Sequence, residues 1–453
     1  MTRRTEDFMK RVLIYSHDTF GLGNIRRMLE VARHLVQSSS EVSVLVITGS
    51  PMLHAFRIPP RIDYVKLPCL SRNVEGRYGA RFLDLSLAAT VRLRANLIRS
   101  AITDFAPDLI LVDKKPFGVE DELSGALVAL QSNTHKPKLV LLLRDILDSP
   151  EETTRVWRKN GCFEAIEAYY DEVLVVGSPA VFDLRREYQF PPFAAAKVRF
   201  CGYIARPPGR QPRAEARRGL GIDDAQPLVL VTPGGGEDGH SLIAACLAGL
   251  GALPPARRPR MHIVCGPEMA DAQRLAIKHS ADELPQVSVQ DFNDDMMSLM
   301  AAADVVVAMG GYNTVCELLT LHKRAVVVPR IKPGLEQCIR AERMSALGLL
   351  RMLHPQRLTP AALIDAVQTE LAALAAQTTH SRLKSLDGLE RCTSAIFEQL
   401  DLHPTTASAA ATKSRTTPAD ATTIARAHHR DAPTTEGTPW NRHASMASAP
   451  SAC

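Results

Sequence analysis

The sequence predicts an α/β protein built from two Rossmann-like, doubly wound domains that face one another across a cleft, followed by a disordered tail. Three observations carry this. Short, almost continuously apolar strands alternate with helical stretches, the pattern of a parallel sheet covered on both faces. The pattern restarts after a Pro- and Arg-rich stretch at residues 206–213. Each half also opens with a strand that enters a Gly-containing loop, S-H-D-T-F-G-L-G-N in the first and T-P-G-G-G-E-D-G in the second.

In the first half, residues 1–202, β-branched and Leu-rich runs place strands at 11–15, 42–48, 109–112, 138–143 and 172–176, with helices at 24–37, 81–105, 120–131 and 165–170. In the second half, residues 203–402, strands are expected at 228–232, 262–265, 287–290, 304–308 and 325–329, with a hinge near residue 203. Ligands of open α/β sheets bind at the carboxyl ends of the strands, so two such domains make a cleft. Residues 403–453 are dominated by Ala, Thr, Ser and Pro and have too little apolar surface to offset their ordering entropy. They read as a solvated extension, with an interaction tail as the alternative.

Composition bounds the class of function. At 453 residues, 45% hydrophobic and 23% charged, the chain has globular proportions and the length for two or three domains. Net charge is +5, and residues 404–453 hold five Lys/Arg against three Asp/Glu, which leaves the body too weakly basic to argue for nucleic acid. The nine cysteines stand singly, with no C-x-x-C pair or zinc-like His spacing, as expected of reduced thiols in a cytoplasmic protein. The polar start M-T-R-R-T-E-D-F does not read as a signal peptide, and no apolar run reaches the roughly 18 residues of a membrane span.

The segment 305–317, V-V-V-A-M-G-G-Y-N-T-V-C-E, runs an apolar strand into paired glycines and then a helical stretch. Gly310 and Gly311 let the backbone approach a ligand without a Cβ in the way. Asn313 or Thr314 can cap the helix and leave its first N–H groups to a phosphate. Glu317, one turn past Thr314, is placed to accept hydrogen bonds from sugar hydroxyls. The alternative is a Thr-x-x-Glu capping box that only starts a helix.

Five motifs follow in order: G-Y-I-A-R at 202–206, P-G-G-G-E-D-G-H at 233–240, D-F-N-D-D-M at 291–296, G-G-Y-N-T-V-C-E at 310–317 and P-G-L-E-Q-C-I-R-A at 333–341. Together they resemble the nucleotide-sugar-binding domain of GT-B glycosyltransferases, most closely the family of the bacterial N-acetylglucosaminyltransferase that completes lipid II and its uncharacterised relatives. The resemblance implies that Gly234, Gly235 and Gly236 lie against the donor diphosphate and that Arg206 meets its phosphate or sugar. It further implies that Phe292 to Met296 line the base pocket, that Thr314 touches phosphate and Glu317 the ribose, and that Glu336 and Gln337 hold the transferred sugar. The activity implied is inverting transfer of a hexose or N-acetylhexosamine from a nucleoside diphosphate sugar, UDP-linked, to an acceptor hydroxyl. Beyond that co-substrate no cofactor and no metal are expected. Helix ends and an arginine can stabilise the departing diphosphate, and Asp223-Asp224 and Asp294-Asp295 are adjacent pairs rather than Asp-x-Asp.

Residues 17–27, H-D-T-F-G-L-G-N-I-R-R, resemble the acceptor-side loop of the same family, with Gly21, Gly23 and, where a His is often proposed as base, Asn24. Asparagine cannot accept a proton at neutral pH. His17 and Asp18, after the first strand, and Asp145, after the strand at 138–143, are the base candidates on that sheet edge. The alternatives are a hydrogen-bonded structural role for His17 and a pairing of Asp145 with Arg144. Three readings compete with transfer: a nucleotide-sugar hydrolase, a non-hydrolysing sugar 2-epimerase, and a non-catalytic nucleotide-sugar-binding partner subunit. The acceptor stays open among a glycan, a lipid-linked and a small molecule. Arg77, Arg81, Arg92, Arg94 and Arg99, interleaved with Leu and Ala, would lay a peripheral basic face on the inner side of an anionic membrane, or form a solvated helix face.

Overall fold

The computed structural model describes residues 9–17, 23–53, 56–72, 77–133, 136–377, 381–383 and 386–403. Asp18, Gly21 and the tail beyond His403 lie outside the described residues. The first half contains β1 (Lys10–Ser16), β2 (Val42–Thr48), β3 (Ile62–Lys66), the short hairpin β4 (Leu70–Arg72) and β5 (Tyr78–Ala80), β6 (Leu109–Asp113), β7 (Lys138–Arg144), β8 (Glu172–Val176) and β9 (Val198–Phe200). Apart from the antiparallel hairpin, these strands form one parallel sheet in the order β3-β2-β1-β6-β7-β8-β9. The second half contains β10 (Leu228–Thr232), β11 (Arg260–Val264), β12 (Val287–Gln290), β13 (Val305–Ala308), β14 (Arg324–Val327) and β15 (Arg351–Met352), parallel in the order β12-β11-β10-β13-β14-β15. Both orders reverse direction beside their first strand. That places a crevice beyond the carboxyl ends of β1 and β6, and another beyond those of β10 and β13.

The central strands are buried almost end to end, which is why they read as continuous apolar runs. Within the two parallel sheets, the strands that the sequence pattern does not announce are β3, β9 and β15, all at sheet edges; it does not announce the hairpin β4–β5 either. β3, I-D-Y-V-K, is largely exposed, and β9 and β15 span three and two residues. The helix expected from residue 81 begins at Leu87, because the Ser86 side chain accepts the Ala89 N–H and caps it there. The stretch expected as one helix over 120–131 is divided: Glu120 and Asp121 take left-handed φ values of 47° and 57°, and the regular helix runs Ser124–Gln131.

One hydrophobic core fills the first half and continues across the hinge onto the face of the second sheet that carries Leu228, Leu230, Val306 and Ala308. A second core takes the opposite face, through Val229, Val231, Val305 and Val307, following the two-residue alternation of a strand. The hinge itself is buried. Tyr203 is 0% exposed and stacks on Tyr312, with ring centroids 6.0 Å apart. The helix Gly388–Gln399 falls in the 203–402 segment by number, yet it packs on the first half. His34 Nδ1 lies 2.7 Å from Thr393 Oγ1, and Gln399 Nε2 donates to Glu172. The chain recrosses the hinge at Gly388, where an added Cβ would stand 2.7 Å from the Gly202 carbonyl oxygen, so only glycine fits. Among the described residues no helix is long and apolar enough to cross a membrane.

Arg94, expected on an exposed basic face, is fully buried instead. Its guanidinium forks onto Glu122 at 2.6 and 2.7 Å and donates to the Pro68 carbonyl at 2.6 Å, while the Tyr15 hydroxyl donates to the same carboxylate. Removing one charge of such a pair leaves the other buried without compensation. Glu122→Gln is therefore expected to destabilise the protein by about 3–5 kcal/mol in urea unfolding; a change below 1 kcal/mol would show the pair to be dispensable.

Candidate functional site

At the carboxyl end of β13 the chain turns through Gly310 and Gly311 into the helix Tyr312–Thr320. Gly311 is the N-cap and no side chain caps this helix, so neither Asn313 nor Thr314 performs the capping expected of them; both sit inside the first turn. Gly310 is demanded by packing. A Cβ there would lie 2.9 Å from the Gln337 carbonyl oxygen on the helix Glu336–Ala346. The first-turn N–H groups of Tyr312–Thr320 thus stay available, and the helix dipole favours a negative group beside them.

Arg206 reaches this helix from the hinge. It is 4% exposed, its backbone N–H donates to Thr320 Oγ1 at 3.0 Å, and its Nη2 donates to Asn313 Oδ1. Its Nε and Nη1 are buried and find no hydrogen-bond partner among the described residues. The positive charge is close enough to oppose the upward push that burial gives the Tyr312 hydroxyl and the Cys316 thiol. Asn313 Nδ2 donates in turn to the Gly23 carbonyl of the first half at 3.3 Å. One turn further on, Glu317 is buried and pairs at 2.8 Å with Arg26, which rises from the helix Gly23–Ser38.

The glycine loop after β10 adjoins the same place, with Thr314 Oγ1 3.7 Å from where a Cβ on Gly234 would stand. Gly236 has φ +99°, and a Cβ on it would meet the Cys265 carbonyl oxygen at 2.4 Å, so the loop is built for glycine. Its surroundings are more acidic than a bare phosphate cradle. Burial first, then Glu237 and Asp238, push the Glu268 carboxyl up, against the pull of Arg81 and Arg330. Phe292 is half exposed before the helix Met296–Ala302, and neighbouring Asp294 and Asp295 are paired with Arg210 at 2.6 and 3.4 Å.

Glu336 and Gln337 are buried on the far side of Gly310. Burial opposes ionisation of Glu336, but Arg144, Arg340, Arg330 and Lys114 together hold its carboxyl below the usual carboxylate range. Gln337 Oε1 accepts the Arg330 N–H at 3.3 Å. In this arrangement both polar heads face protein groups, with Arg144 coming from the end of β7 in the first half.

Of the base candidates, Asp145 and His17 are among the described residues. Asp145 is 0% exposed, and each of its oxygens accepts two hydrogen bonds. Oδ1 accepts from Arg340 Nη2 and Ile146 N, both at 2.8 Å; Oδ2 accepts from Arg340 Nε at 2.7 Å and the Tyr203 hydroxyl at 2.9 Å. An ionised carboxylate offers about four acceptor sites, so none is left for a substrate proton. Asp145 neither pairs with Arg144 nor suits the base role expected of it. It joins the halves. His17 follows β1, 1% exposed, its backbone N–H donating to Asp113 at 3.3 Å. Asn24 Nδ2 donates to the His17 carbonyl at 2.6 Å, and its Oδ1 accepts from Arg27, which pairs with Asp113 at 2.6 Å. Arg26, Asp113 and Arg340 escape sequence reasoning. Arg26 and Arg340 stand inside the 17–27 and 333–341 motifs, whereas Asp113 lies in none.

Residues 228–391 match the glycosyltransferase family 28 C-terminal domain. An uncharacterized glycosyltransferase of Methanopyrus kandleri is 26% identical over 230 residues, half of this chain and 61% of the relative. The UDP-N-acetylglucosamine–N-acetylmuramyl-(pentapeptide) pyrophosphoryl-undecaprenol N-acetylglucosamine transferase of Paenarthrobacter aurescens is 33% identical over 38% of this chain and 43% of its own length. The chain thus spans about three fifths or less of these relatives. Among solved structures, the calicheamicin glycosyltransferase CalG4 superposes with TM-score 0.57 at 16% identity, over 87% of this chain and 98% of that one. MurG of Acinetobacter baumannii gives 0.54 at 15%, over 86% and 99%. The fold is that of GT-B glycosyltransferases.

Since Asp145 is a pin in this geometry, Asp145→Asn is expected to lower stability by about 3–5 kcal/mol, the cost of leaving Arg340 uncompensated. Turnover per folded molecule should stay within tenfold of wild type. A larger loss in a protein of unchanged urea midpoint would return Asp145 to the role of base.

Proposed function

We propose that this chain is an inverting glycosyltransferase that moves a hexose or N-acetylhexosamine from a UDP-linked donor to an acceptor hydroxyl. Arg206 carries the reading. A buried guanidinium tethered to the open start of a helix, with two nitrogens unengaged, is costly unless an anion completes it. The donor diphosphate would do so, lying between Arg206, the first-turn N–H groups of Tyr312–Thr320 and the Gly234–Gly236 loop. Glu317 would exchange Arg26 for the ribose hydroxyls. Phe292 would offer its exposed ring to the base beside Met296, and Glu336 and Gln337 would hold the sugar. The similarity to UDP-N-acetylglucosamine–N-acetylmuramyl-(pentapeptide) pyrophosphoryl-undecaprenol N-acetylglucosamine transferases supports a UDP-linked donor and, for the acceptor, a lipid-linked one.

With Asp145 engaged, His17 or Asp18 is the proposed base. It takes the acceptor proton as the hydroxyl oxygen bonds to the anomeric carbon and the bond to the diphosphate breaks, while Arg206 and the helix start stabilise the departing charge. No metal is assigned to this step. Asn24 and the locked Asp145 favour, as a second reading, a subunit that binds donor without turning it over. Assaying product formation with a panel of nucleotide sugars separates the two.

The surface beside the acceptor half supports a peripheral membrane contact at the cytoplasmic side. Phe82, Leu83, Leu85, Leu93 and Leu97 are exposed in one stretch, alongside exposed Arg77, Arg81, Arg92 and Arg99. Apolar groups that enter the interface amid cations that meet anionic headgroups bind such surfaces.

Three outcomes are expected. Arg206→Met and Glu317→Ala should each weaken UDP binding in calorimetry by about 1.5–3 kcal/mol, the range for hydrogen bonds to charged groups; unchanged affinity in folded protein removes them from the donor site. Turnover should survive excess EDTA, and loss restored by magnesium or manganese would overturn the metal-free step. The protein should sediment with vesicles of anionic but not zwitterionic lipid, and Phe82→Asp should abolish this; equal binding to both would contradict a charge-assisted contact.

A further inference from the structure

Three side chains with metal-ligating atoms that the donor site does not use converge on the helix Glu336–Ala346. Cys338 and Glu342 stand at i and i+4 and so share one face, and His354 meets them from the turn that follows β15. One ligand atom from each lies within 4.8 Å of the other two. The Cys338 sulfur and Glu342 Oε1 are 3.5 Å apart. Zinc–thiolate and zinc–carboxylate bonds of about 2.3 and 2.1 Å at a tetrahedral angle separate their ligands by about 3.6 Å. That edge is therefore already at coordination distance, and the His354 ring has at most about 1.4 Å to travel.

Arg343, next along the helix, turns away to Glu187 at 2.9 Å. Cys338 is buried whereas Glu342 is exposed, so an ion can enter from solvent and end against the sulfur.

We propose that Cys338, Glu342 and His354 form a binding site for a zinc-class divalent cation, with water as the fourth ligand, tying the helix Glu336–Ala346 to the turn after β15. A mixed sulfur, nitrogen and oxygen donor set selects zinc over magnesium or calcium, which prefer all-oxygen shells. On binding, the thiol proton leaves to bulk water and the metal–sulfur bond replaces it. Coordination through either ring nitrogen ends the 3.2 Å bond that His354 Nδ1 accepts from the Gln356 N–H. The site stands independently of the proposed sugar transfer. Sequence spacing hid it, because the ligands form C-x3-E followed by a distant His rather than a C-x-x-C pair.

Cobalt(II) titration of metal-free, full-length protein tests this, since thiolate ligation produces a sulfur-to-cobalt charge-transfer band. Wild type should give the band at one cobalt per chain, zinc should displace it, and zinc should raise the thermal midpoint. Cys338→Ser should abolish the band, and Glu342→Gln and His354→Ala should weaken cobalt binding at least tenfold. If Cys338→Ser does not fold, the His354→Ala variant decides. No band in wild type, a band retained in Cys338→Ser, or unchanged cobalt affinity in His354→Ala overturns the site.

Discussion

The bidentate pair between Asp145 and Arg340 is the interaction on which the arrangement of the two halves depends. Charges taken this far from water lose several kcal/mol of solvation each, and only complete hydrogen bonding offsets the loss. Here it is complete. Asp145 receives Arg340, the Tyr203 hydroxyl and a backbone N–H, and the remaining arm of Arg340 donates to the Gly310 carbonyl at 2.7 Å. The end of β7, the hinge tyrosine and the glycine turn after β13 are thereby fastened to one guanidinium. The turn proposed to receive the donor is positioned partly by a carboxylate of the opposite half.

Around that pin the charges largely neutralise one another across the cleft. Arg26 holds Glu317, and Arg144 holds Glu336; in both, the arginine comes from the first half and the carboxylate from the second. Arg206 keeps two nitrogens without a hydrogen-bond partner among the described residues. A donor entering here would complete Arg206 and replace Arg26 on Glu317, so its binding energy would be the difference between new contacts and those exchanged. Acids beside the Gly234–Gly236 loop add a cost that Arg81 and Arg330 only partly offset. The Gly310–Gly311 turn is the better anion site of the two.

Much of the fold was legible because central parallel strands are buried on both faces and show as unbroken apolar runs. β6 and β10 are of this kind. Edge strands such as β3 face water and lose the signal, and the return of the last helix to the first half is a long-range packing choice with no local trace. The glycine motifs were legible for a similar reason: Gly236 and Gly310 have no room for a Cβ, so the residue type records the geometry. Asp145 misled because a carboxylate at a strand's carboxyl end looks alike as base or as anchor. What distinguishes them is the pairing with Arg340, 195 residues away, which no local pattern reveals.

The most direct test of the central claim is amide hydrogen exchange with and without saturating UDP-N-acetylglucosamine. First-turn amides of Tyr312–Thr320 have no intrahelical acceptor, so a diphosphate bound there must slow them. Slowed exchange is expected over residues 310–317 and at the hinge around Arg206, with little change over 338–354. Donor binding that leaves 310–317 unprotected, or that protects a different region instead, would contradict that claim.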